Sequence, residues 1–444
     1  MSAIANLGFQ IPEILLPRPG IDLHKWAVIA CDQFTSEPEY WQQVAELVGD
    51  APSTFHLILP EIYLGTPEEA RRVHSIRQTM QEYLARDLFV PYRGPILVER
   101  TVGSKTRYGL MLALDLEQYN YRQGASTLIR ASEGTILERL PPRVRIRSGA
   151  PLELPHILVL IDDPERTVIE PLAATRHDLP RLYDTELMLG SGHVTGYLVA
   201  EEALIARMVA ALKQLAQPEA FVRKYDLLPG SPVLLFAVGD GNHSLATAKA
   251  IWEELKAKRQ ASGRLDMEHP ARYALVEIEN IHDPGLTFEP IHRVLFEVKG
   301  DLVQALEGFY PGRWRKRPCA EAEEMMALVD QQAKGEHAVG LISRQGFEVL
   351  YIANPPSNLP VGTLQAFLDA WGQARGFNRI DYVHGQDAVM RLGQQPGNLG
   401  FYLPAFSKSD FFKTVIVDGV LPRKTFSMGE AKEKRFYMEA RRIL

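Results

Sequence analysis

A short apolar run that turns into a helix at two glycines is the feature that most constrains the fold of this chain. Residues 233–238 are all apolar, and a run of this length is too short for an ordinary helix, so it predicts a buried, parallel strand. Apolar side chains then recur at three- and four-residue steps from Leu245 to Leu255, which predicts an amphipathic helix that ends at Gly263.

The turn between this strand and this helix is Gly239-Asp240-Gly241-Asn242-His243-Ser244. At such a junction the first backbone N–H groups of the helix and its positive end can bind a phosphate or carboxylate. The alternative is an ordinary tight turn, in which Asp240 accepts backbone hydrogen bonds and His243 packs nearby. Ser244 replaces the third glycine of the dinucleotide fingerprint, and the chain has no P-loop motif, so neither of those sites is expected. Lys249 lies beside the apolar stripe of the helix, from where its ammonium can reach back toward the turn.

Composition excludes several classes of protein. The 444 residues are 46% hydrophobic and 23% charged, which is typical of a soluble globular chain of two or three domains. A net charge of −6 argues against general nucleic-acid binding. Cys31 and Cys319 are far apart and lack a His/Cys cluster, so we expect neither a disulfide framework nor structural zinc, and a reduced cytoplasm is the natural compartment. No signal peptide and no apolar run long enough to cross a bilayer is recognisable.

Strand-like apolar runs alternate with amphipathic helical patterns, which predicts an α/β or α+β fold with a mixed sheet core. The strand candidates are 26–30, 55–59, 95–102, 107–114, 157–161, 233–238, 273–278, 338–343, 348–352 and 414–417. The helix candidates are 67–85, 201–214, 244–260, 302–309, 320–332, 363–371 and 430–442. We expect a main α/β domain over 1–296, a smaller inserted or appended α/β domain over 297–380, and a C-terminal segment, 381–444, that returns to the main domain.

Two other segments place polar residues at the ends of apolar runs, where open α/β sheets bind ligands. Asp32 follows the run 26–31, and its carboxylate can hold a cation or take a proton, although Asp is also common in ordinary turns. Arg130, Ser132 and Glu133 lie together near a glycine. Arg130 can bind an anion bidentately, and the alternative is a surface ion pair.

Basic residues gather in three further places. Arg139 precedes Arg143, Arg145 and Arg147, and the last three would share one face of a strand, either simply solvated or binding a polyanionic ligand. A second group surrounds Pro290 and contains Glu289, His292 and Arg293, which are candidate ligand-binding residues; the alternative is that His292 is a structural hydrogen-bond donor. A third contains Lys424 in a basic, hydroxyl-bearing segment before the predicted final helix.

The order of these segments resembles the bacterial domain-of-unknown-function family 1015 over nearly the whole chain. The resemblance rests on residues 25–41, 128–135, 140–147, 239–249, 288–295 and 421–430. The Asp-Gly-x-His turn is also similar to the loop of the ParB and sulfiredoxin superfamily, which includes ADP-dependent free serine kinases. In those relatives the loop and its helix bind nucleotide phosphates, so the resemblance implies a similar nucleotide-binding element in the mixed sheet core.

Residue by residue, Asp240, Gly241 and His243 match that loop. Ser244 stands where the relatives have Arg, and Asn242 where many have His, so one bidentate phosphate ligand is missing here. The catalytic glutamate of the relatives has no motif match, and local chemistry makes Glu133 and Asp32 the candidates for that role.

The resulting interpretation is a protein that binds a nucleotide or another phosphate-bearing small molecule. As a hypothesis, amides of 239–244 hold the phosphates, Asp240 binds Mg²⁺, His243 contacts the transferred group, and Glu133 or Asp32 accepts a proton from a small hydroxyl-bearing metabolite. One alternative is a nucleotide- or metabolite-sensing protein without turnover, and another is an interaction scaffold. Enzymatic activity and a homodimer are left open, and no membrane partner is expected.

Overall fold

The chain forms two compact units in the computed structural model, which describes residues 4, 6–35, 37–134 and 140–444. Unit 1 consists of Met1–Leu286 together with the C-terminal segment, Gly429–Leu444, and unit 2 is Thr287–Met428. The sequence-based boundaries after residues 296 and 380 both lie inside unit 2.

The elements are numbered in chain order. The strands are β1 Phe9–Gln10, β2 Glu13–Pro17, β3 Val28–Ile29, β4 Phe89–Arg93, β5 Ile96–Val102, β6 Lys105–Asp115, β7 Tyr119–Asn120, β8 Ile129–Arg130, β9 Leu152–Glu153, β10 Leu158–Ile161, β11 Arg181–Glu186, β12 His193–Leu198, β13 Phe236–Asp240, β14 Tyr273–Asn280, β15 Phe288–Phe296, β16 Trp314–Cys319, β17 Glu336–Ser343, β18 Gly346–Ala353, β19 Arg379–His384, β20 Leu399–Tyr402, β21 Phe426–Met428, β22 Phe436–Tyr437 and β23 Arg441–Arg442. The helices are α1 Leu23–Trp26, α2 Pro38–Val48, α3 Glu69–Ala85, α4 Leu140–Arg147, α5 Glu170–Ala174, α6 Glu202–Leu215, α7 Pro218–Tyr225, α8 Asn242–Ala261, α9 Leu302–Phe309, α10 Ala322–Asp330, α11 Pro360–Gln373, α12 Gln386–Gly393 and α13 Lys408–Val417.

Unit 1 is built on a mixed sheet that contains ten strands among the described residues. Their order is β11-β12-β5-β6-β14-β10-β13-β8-β7, with β1 paired to β6. The pairs β10–β14, β13–β8 and β7–β8 are parallel, whereas β13 and β10 are antiparallel. The predicted mixed α/β architecture is therefore confirmed.

The predicted strand-to-helix unit is present as β13 and α8. Phe236, Ala237 and Val238 of β13 are fully buried, which explains their unbroken apolar character. Leu245 and Trp252 of α8 are also fully buried and pack in the same core cluster as β13. The turn between the two elements is thus fixed from both sides by the core of unit 1.

The C-terminal segment is threaded through unit 1. Strand β22 pairs with β3, β23 pairs with β9, and Ala440 forms a bridge with Leu15. Between Arg435 and Ala440 every residue is buried, which is the reason that the predicted helix over 430–442 is wrong. An amphipathic surface helix buries one face, whereas this stretch is enclosed on all sides and runs largely extended.

Three predicted strands are also wrong. Residues 143–147 belong to helix α4. Residues 414–417 end helix α13, whose buried Phe411 and Val415 follow helical spacing. Residues 54–57 form a 3₁₀ turn rather than the start of a strand. In each case the apolar or charged run was too short to separate the two periods.

Unit 2 contains its own sheet, of seven strands among the described residues. Their order is β16-β18-β17-β20-β15-β19, with β21 paired to β15, and the pairings are antiparallel. Helices α9 to α13 lie in the same unit.

Among the described residues, no helix is both long enough and apolar enough to cross a membrane.

Candidate functional site

Two parallel strands of unit 1 end side by side and bring distant polar residues together. Phe236 and Ala237 of β13 lie opposite Ile129 and Arg130 of β8, so the residues that follow each strand meet at one edge of the sheet. The Ser132 N–H donates to Asn242 Oδ1 over 3.1 Å, and Asn242 Nδ2 lies 3.3 Å from Ser132 Oγ. Both side chains are buried. This pair fastens the start of α8 to the loop that carries Glu133.

The turn itself requires a glycine at its centre. Gly241 has a φ of 80° and is the N-cap of α8, a helix of 20 residues. A Cβ at this position would lie 3.1 Å from Ile157 Cα, so the space is closed to a side chain as well. Since Gly241 has no side chain, it supplies no capping acceptor to the first turn, and the positive end of a long helix remains at the edge of the sheet. His243 and Ser244 of this first turn are half-buried.

Asp240 links the turn to the C-terminal segment. Its Oδ1 accepts a 2.9 Å hydrogen bond from the Gly241 N–H, and its Oδ2 accepts a 3.0 Å hydrogen bond from Lys434 Nζ. Burial favours the neutral acid, but the charge and hydrogen bond of Lys434, with help from His156 and the Gly241 amide, outweigh it and lower the pKa of Asp240. Asp240 is therefore an ionised carboxylate at neutral pH.

His156 lies close enough to act electrostatically on this carboxylate, and Tyr437 lies between His156 and the backbone of Cys31. Leu158 lies opposite Asp240 in the antiparallel pair, so His156, two residues earlier, lies at the same edge. Tyr437 Oη is 2.9 Å from His156 Nδ1 and accepts the Cys31 N–H over 3.2 Å. Asp32 is the next residue in the chain, and its Oδ1 accepts Gln33 Nε2 over 3.0 Å. Asp32 acts electrostatically on Tyr437, and His156 on Asp240, so the four groups belong to one cluster.

Glu61 and Arg143 extend the same cluster. Their side chains form an ion pair and are about one-fifth exposed, at 20% and 19%. Burial raises the pKa of Glu61, and the nearby Asp32 raises it further, whereas Arg143 and His156 act in the opposite direction. A carboxyl group that is shifted toward its neutral form beside a second carboxylate is a common arrangement at sites of proton transfer.

A buried network of charges lies beneath the C-terminal segment. Glu277 and Glu279 are two residues apart on β14, each 1% exposed, and face the same side of the sheet. Arg435 forms an ion pair with Glu277, and Arg107 Nε lies 2.6 Å from Glu279 Oε1. Burial raises the pKa of Glu279, and the charge of Asp240 adds to this effect. The network therefore reaches electrostatically to the turn.

Arg130 and Lys249 do not point toward the turn. The guanidinium of Arg130 donates to the carbonyl oxygens of Thr127, Pro232 and Val233, before the start of β13. Lys249 Nζ forms a 2.5 Å ion pair with Glu253, one helical turn further along α8. Both cations are thus used to fasten local structure.

The predicted basic strand face is not formed, because the residues are helical. Arg143, Arg145 and Arg147 pair instead with acids from three different elements, namely Glu61, Glu69 and Glu153. These pairs leave no exposed row of guanidinium groups for a polyanion. Arg139 lies outside the described residues.

Glu289, His292, Arg293 and Lys424 all lie in unit 2. Arg293 is fully buried and donates to the carbonyl oxygens of Arg423 and Lys424 over 2.9 Å. His292 Nδ1 accepts the Leu403 N–H over 3.1 Å, and burial, with Arg293 and His384, lowers the pKa of His292 to about 4. The Glu289 side chain is exposed. These contacts give Arg293 and His292 structural roles within unit 2.

A metal site built by the chain alone is absent from the part that the structure describes, where no three His, Cys, Asp or Glu side chains are placed to hold an ion. Both oxygens of Asp240 already accept hydrogen bonds, and Lys434 already supplies a positive charge there. Asp240 therefore does not fit the expected role of a Mg²⁺ ligand unless Lys434 moves.

Sequence reasoning missed the residues that surround Asp240, namely His156, Lys434, Tyr437 and Glu61. No motif marks them, because they lie about 80 to 200 residues from Asp240 in the sequence and approach it only in the folded unit. The one available signal is the position of His156 immediately before the predicted strand 157–161.

No curated protein matches the chain. Similar solved structures include a conserved hypothetical protein from Pyrococcus furiosus, with a TM-score of 0.33, 14% identity, and coverage of 74% of this chain and 93% of that chain. A free serine kinase variant in complex with AMP has a TM-score of 0.37 and 12% identity, covering 76% of this chain and 93% of that one. SbnI with a C-terminal truncation, from Staphylococcus aureus, has a TM-score of 0.35 and 11% identity, covering 74% and 85%.

The family comparison agrees with the resemblance seen in the sequence. The model of the DUF1015 family, described as proteins of unknown function, matches residues 15–371, which is well over half of the chain. The chain therefore belongs to the DUF1015 family.

Proposed function

We propose that unit 1 binds a nucleotide or another phosphate-bearing small molecule at the turn Gly239–Ser244. The observation that carries this proposal is the start of α8, a 20-residue helix whose glycine N-cap offers no side-chain acceptor, at the edge where β8 and β13 both end. Phosphate oxygens satisfy such backbone N–H groups and are stabilised by the positive end of the helix.

The surroundings support an anion held in a defined orientation. Asn242 and Ser132 fix the first turn of α8 against the neighbouring loop, so the amides do not have to be ordered when a ligand binds. The Ser244 hydroxyl can add a neutral hydrogen bond. It cannot replace the charge of an arginine, and we therefore expect modest affinity.

Transfer of phosphate to a small hydroxyl-bearing metabolite is the catalytic form of this proposal. We take Asp32 as the first candidate base, because it belongs to the electrostatic cluster that His156 and Tyr437 form beside Asp240, and Glu133, next to Ser132, as the second. His243 would contact the transferred group. Mg²⁺, where present, would neutralise phosphate charge and reach the site with the nucleotide, as it commonly does.

A sensing protein without turnover is the second candidate, and one observation favours it. Both carboxylate oxygens of Asp240 already accept hydrogen bonds, one from the Gly241 amide and one from Lys434. Asp240 is therefore not available to bind the Mg²⁺ that phosphate transfer would need. Incubation with ATP and candidate hydroxyl compounds separates the two forms. A catalyst releases ADP or a phosphorylated product over hours, whereas a sensor raises its melting temperature with ligand and forms no product.

Isothermal titration with ADP, ATP and CTP, each with and without Mg²⁺, tests binding itself. The variant Ser244→Glu places a negative charge at the third residue of α8, which suits a helix start but repels phosphate. We expect it to keep its melting temperature and to lose at least about tenfold in affinity.

The matched control is Gln304→Glu, at the third residue of helix α9 in unit 2, where the side chain is exposed. It adds the same charge at the same helix position and should bind like the wild type. Failure of every nucleotide to bind at millimolar concentration, or equal affinity in both variants, would contradict the proposal.

A further inference from the structure

Lys434 has unused donors close to the turn. Its ammonium carries three N–H bonds, and among the described residues its acceptor is Asp240 Oδ2 alone. The side chain is only 12% exposed. An ammonium buried to this degree, with two donors to spare, is poorly satisfied by the protein itself.

The backbone on either side of Lys434 is held by buried arginines. Arg100 Nη2 donates to the Lys432 carbonyl over 2.9 Å, and Arg107 Nη1 donates to the Glu433 carbonyl over 2.7 Å. On the other side, Arg435 donates to the Pro155 carbonyl over 3.0 Å and pairs with Glu277. The position of Lys434 over the sheet is therefore fixed before any ligand arrives.

Asp240 places the ammonium next to the start of α8. One carboxylate oxygen binds Lys434 and the other binds the Gly241 amide, so the cation and the helix start are separated by a single carboxylate group. Both positive groups therefore contact the same carboxylate. A phosphate next to Asp240 can accept a second N–H of Lys434, since the described part of the chain offers Lys434 no second carboxylate.

We propose that Lys434 is the side chain through which the C-terminal segment binds the phosphate of the ligand, with Asp240 as its positioning residue. This inference rests on the proposed function and adds to it the identity of the cation. Lysine binds phosphate as a point charge, so it can replace part of the charge that an arginine at position 244 would supply. The site is then complete only when the C-terminal segment is folded onto unit 1.

The test compares two lysines of the same segment. Lys434→Gln removes the cation, and Lys432→Gln removes an equal charge from an exposed side chain two residues away. Titration with ADP should show at least about tenfold weaker binding for Lys434→Gln and wild-type affinity for Lys432→Gln. Inorganic pyrophosphate should compete with ADP on the wild type and compete much less on Lys434→Gln.

Loss of Lys434 also leaves Asp240 without its partner, and that variant can fail to fold. The double variant Asp240→Asn, Lys434→Gln removes both charges together, so it should fold and still lose the affinity. A second readout distinguishes contact from structure: added salt should weaken ADP binding to the wild type more than to the double variant.

Wild-type affinity in either Lys434 variant, or an unchanged salt dependence, would overturn the inference while leaving the proposed function intact. Absence of ADP and pyrophosphate binding to the wild type would end the proposed function and this inference together.

Discussion

Arg435 is the residue whose replacement should most strongly weaken the contacts between the C-terminal segment and the rest of unit 1. Its guanidinium binds two carboxylates, Glu277 and Glu439, and the Pro155 carbonyl. All three side chains are nearly inaccessible to solvent, with exposed fractions of 4% for Arg435 and 1% for each glutamate. Arg435→Met keeps much of the volume but leaves two buried carboxylates without their cation.

The expected cost follows from burial. Removing one partner of a buried ion pair costs about 3–5 kcal/mol, because the remaining charge stays in a poorly solvating environment. Amides of unit 1 that exchange through unfolding of the unit should then exchange on the order of a hundred to several thousand times faster. Hydrogen exchange measured by mass spectrometry resolves this by peptide, and peptides of unit 2 act as an internal reference.

Arg442→Met is the matched control, since Arg442 belongs to the same segment and its side chain is exposed. It should change exchange rates in unit 1 by less than about threefold, as expected for an exposed charge. The reasoning is refuted if Arg435→Met behaves like Arg442→Met, because the buried network would then not hold the segment in place.

Two further predictions concern stability. Gly109→Ala should destabilise unit 1 by about 1–3 kcal/mol, because the new Cβ would lie 2.0 Å from Glu277 Oε1. Gly308→Ala in helix α9, where nothing lies within 4 Å of the new Cβ, should instead stabilise unit 2 by a few tenths of a kcal/mol. Urea unfolding measures both changes. The folded-state pKa of His292, about 4, lies below its unfolded value, so the unfolded chain takes up the proton first as the pH falls. The free energy of unfolding of unit 2 should therefore decrease from about pH 6.5 toward pH 4, and the stability difference between wild type and His292→Asn should narrow over that range; a constant difference would contradict this account.

The sequence predicted the central elements of the fold because those elements carry long, clear patterns. The apolar run before Gly239 and the helical spacing after it both reflect burial in the core of unit 1. The run appears in the structure as β13, and the helical spacing as α8. Short or charged runs were less informative. The alternating arginines at 143–147 fit a strand face, yet they form helix α4 because each guanidinium finds a separate carboxylate there.

The candidate site was predictable only at the turn. Asp240 and Asn242 could be singled out because glycine and polar residues at a strand-to-helix junction have a local physical meaning. Lys434 and Tyr437 could not be singled out, because they contact Asp240 and His156 only after the C-terminal segment packs back onto unit 1, and no local pattern predicts that packing. In the same segment the structure has buried and largely extended backbone where a helix was expected over 430–442.

A crystal structure of the protein with ADP tests the central claim most directly. The account predicts phosphate oxygens within about 3 Å of backbone N–H groups in the first turn of α8 and of Lys434 Nζ, with the Asn242–Ser132 hydrogen bonds unchanged. Nucleotide bound elsewhere in the chain, with the turn at Gly241 closed and Lys434 paired only to Asp240, would contradict it.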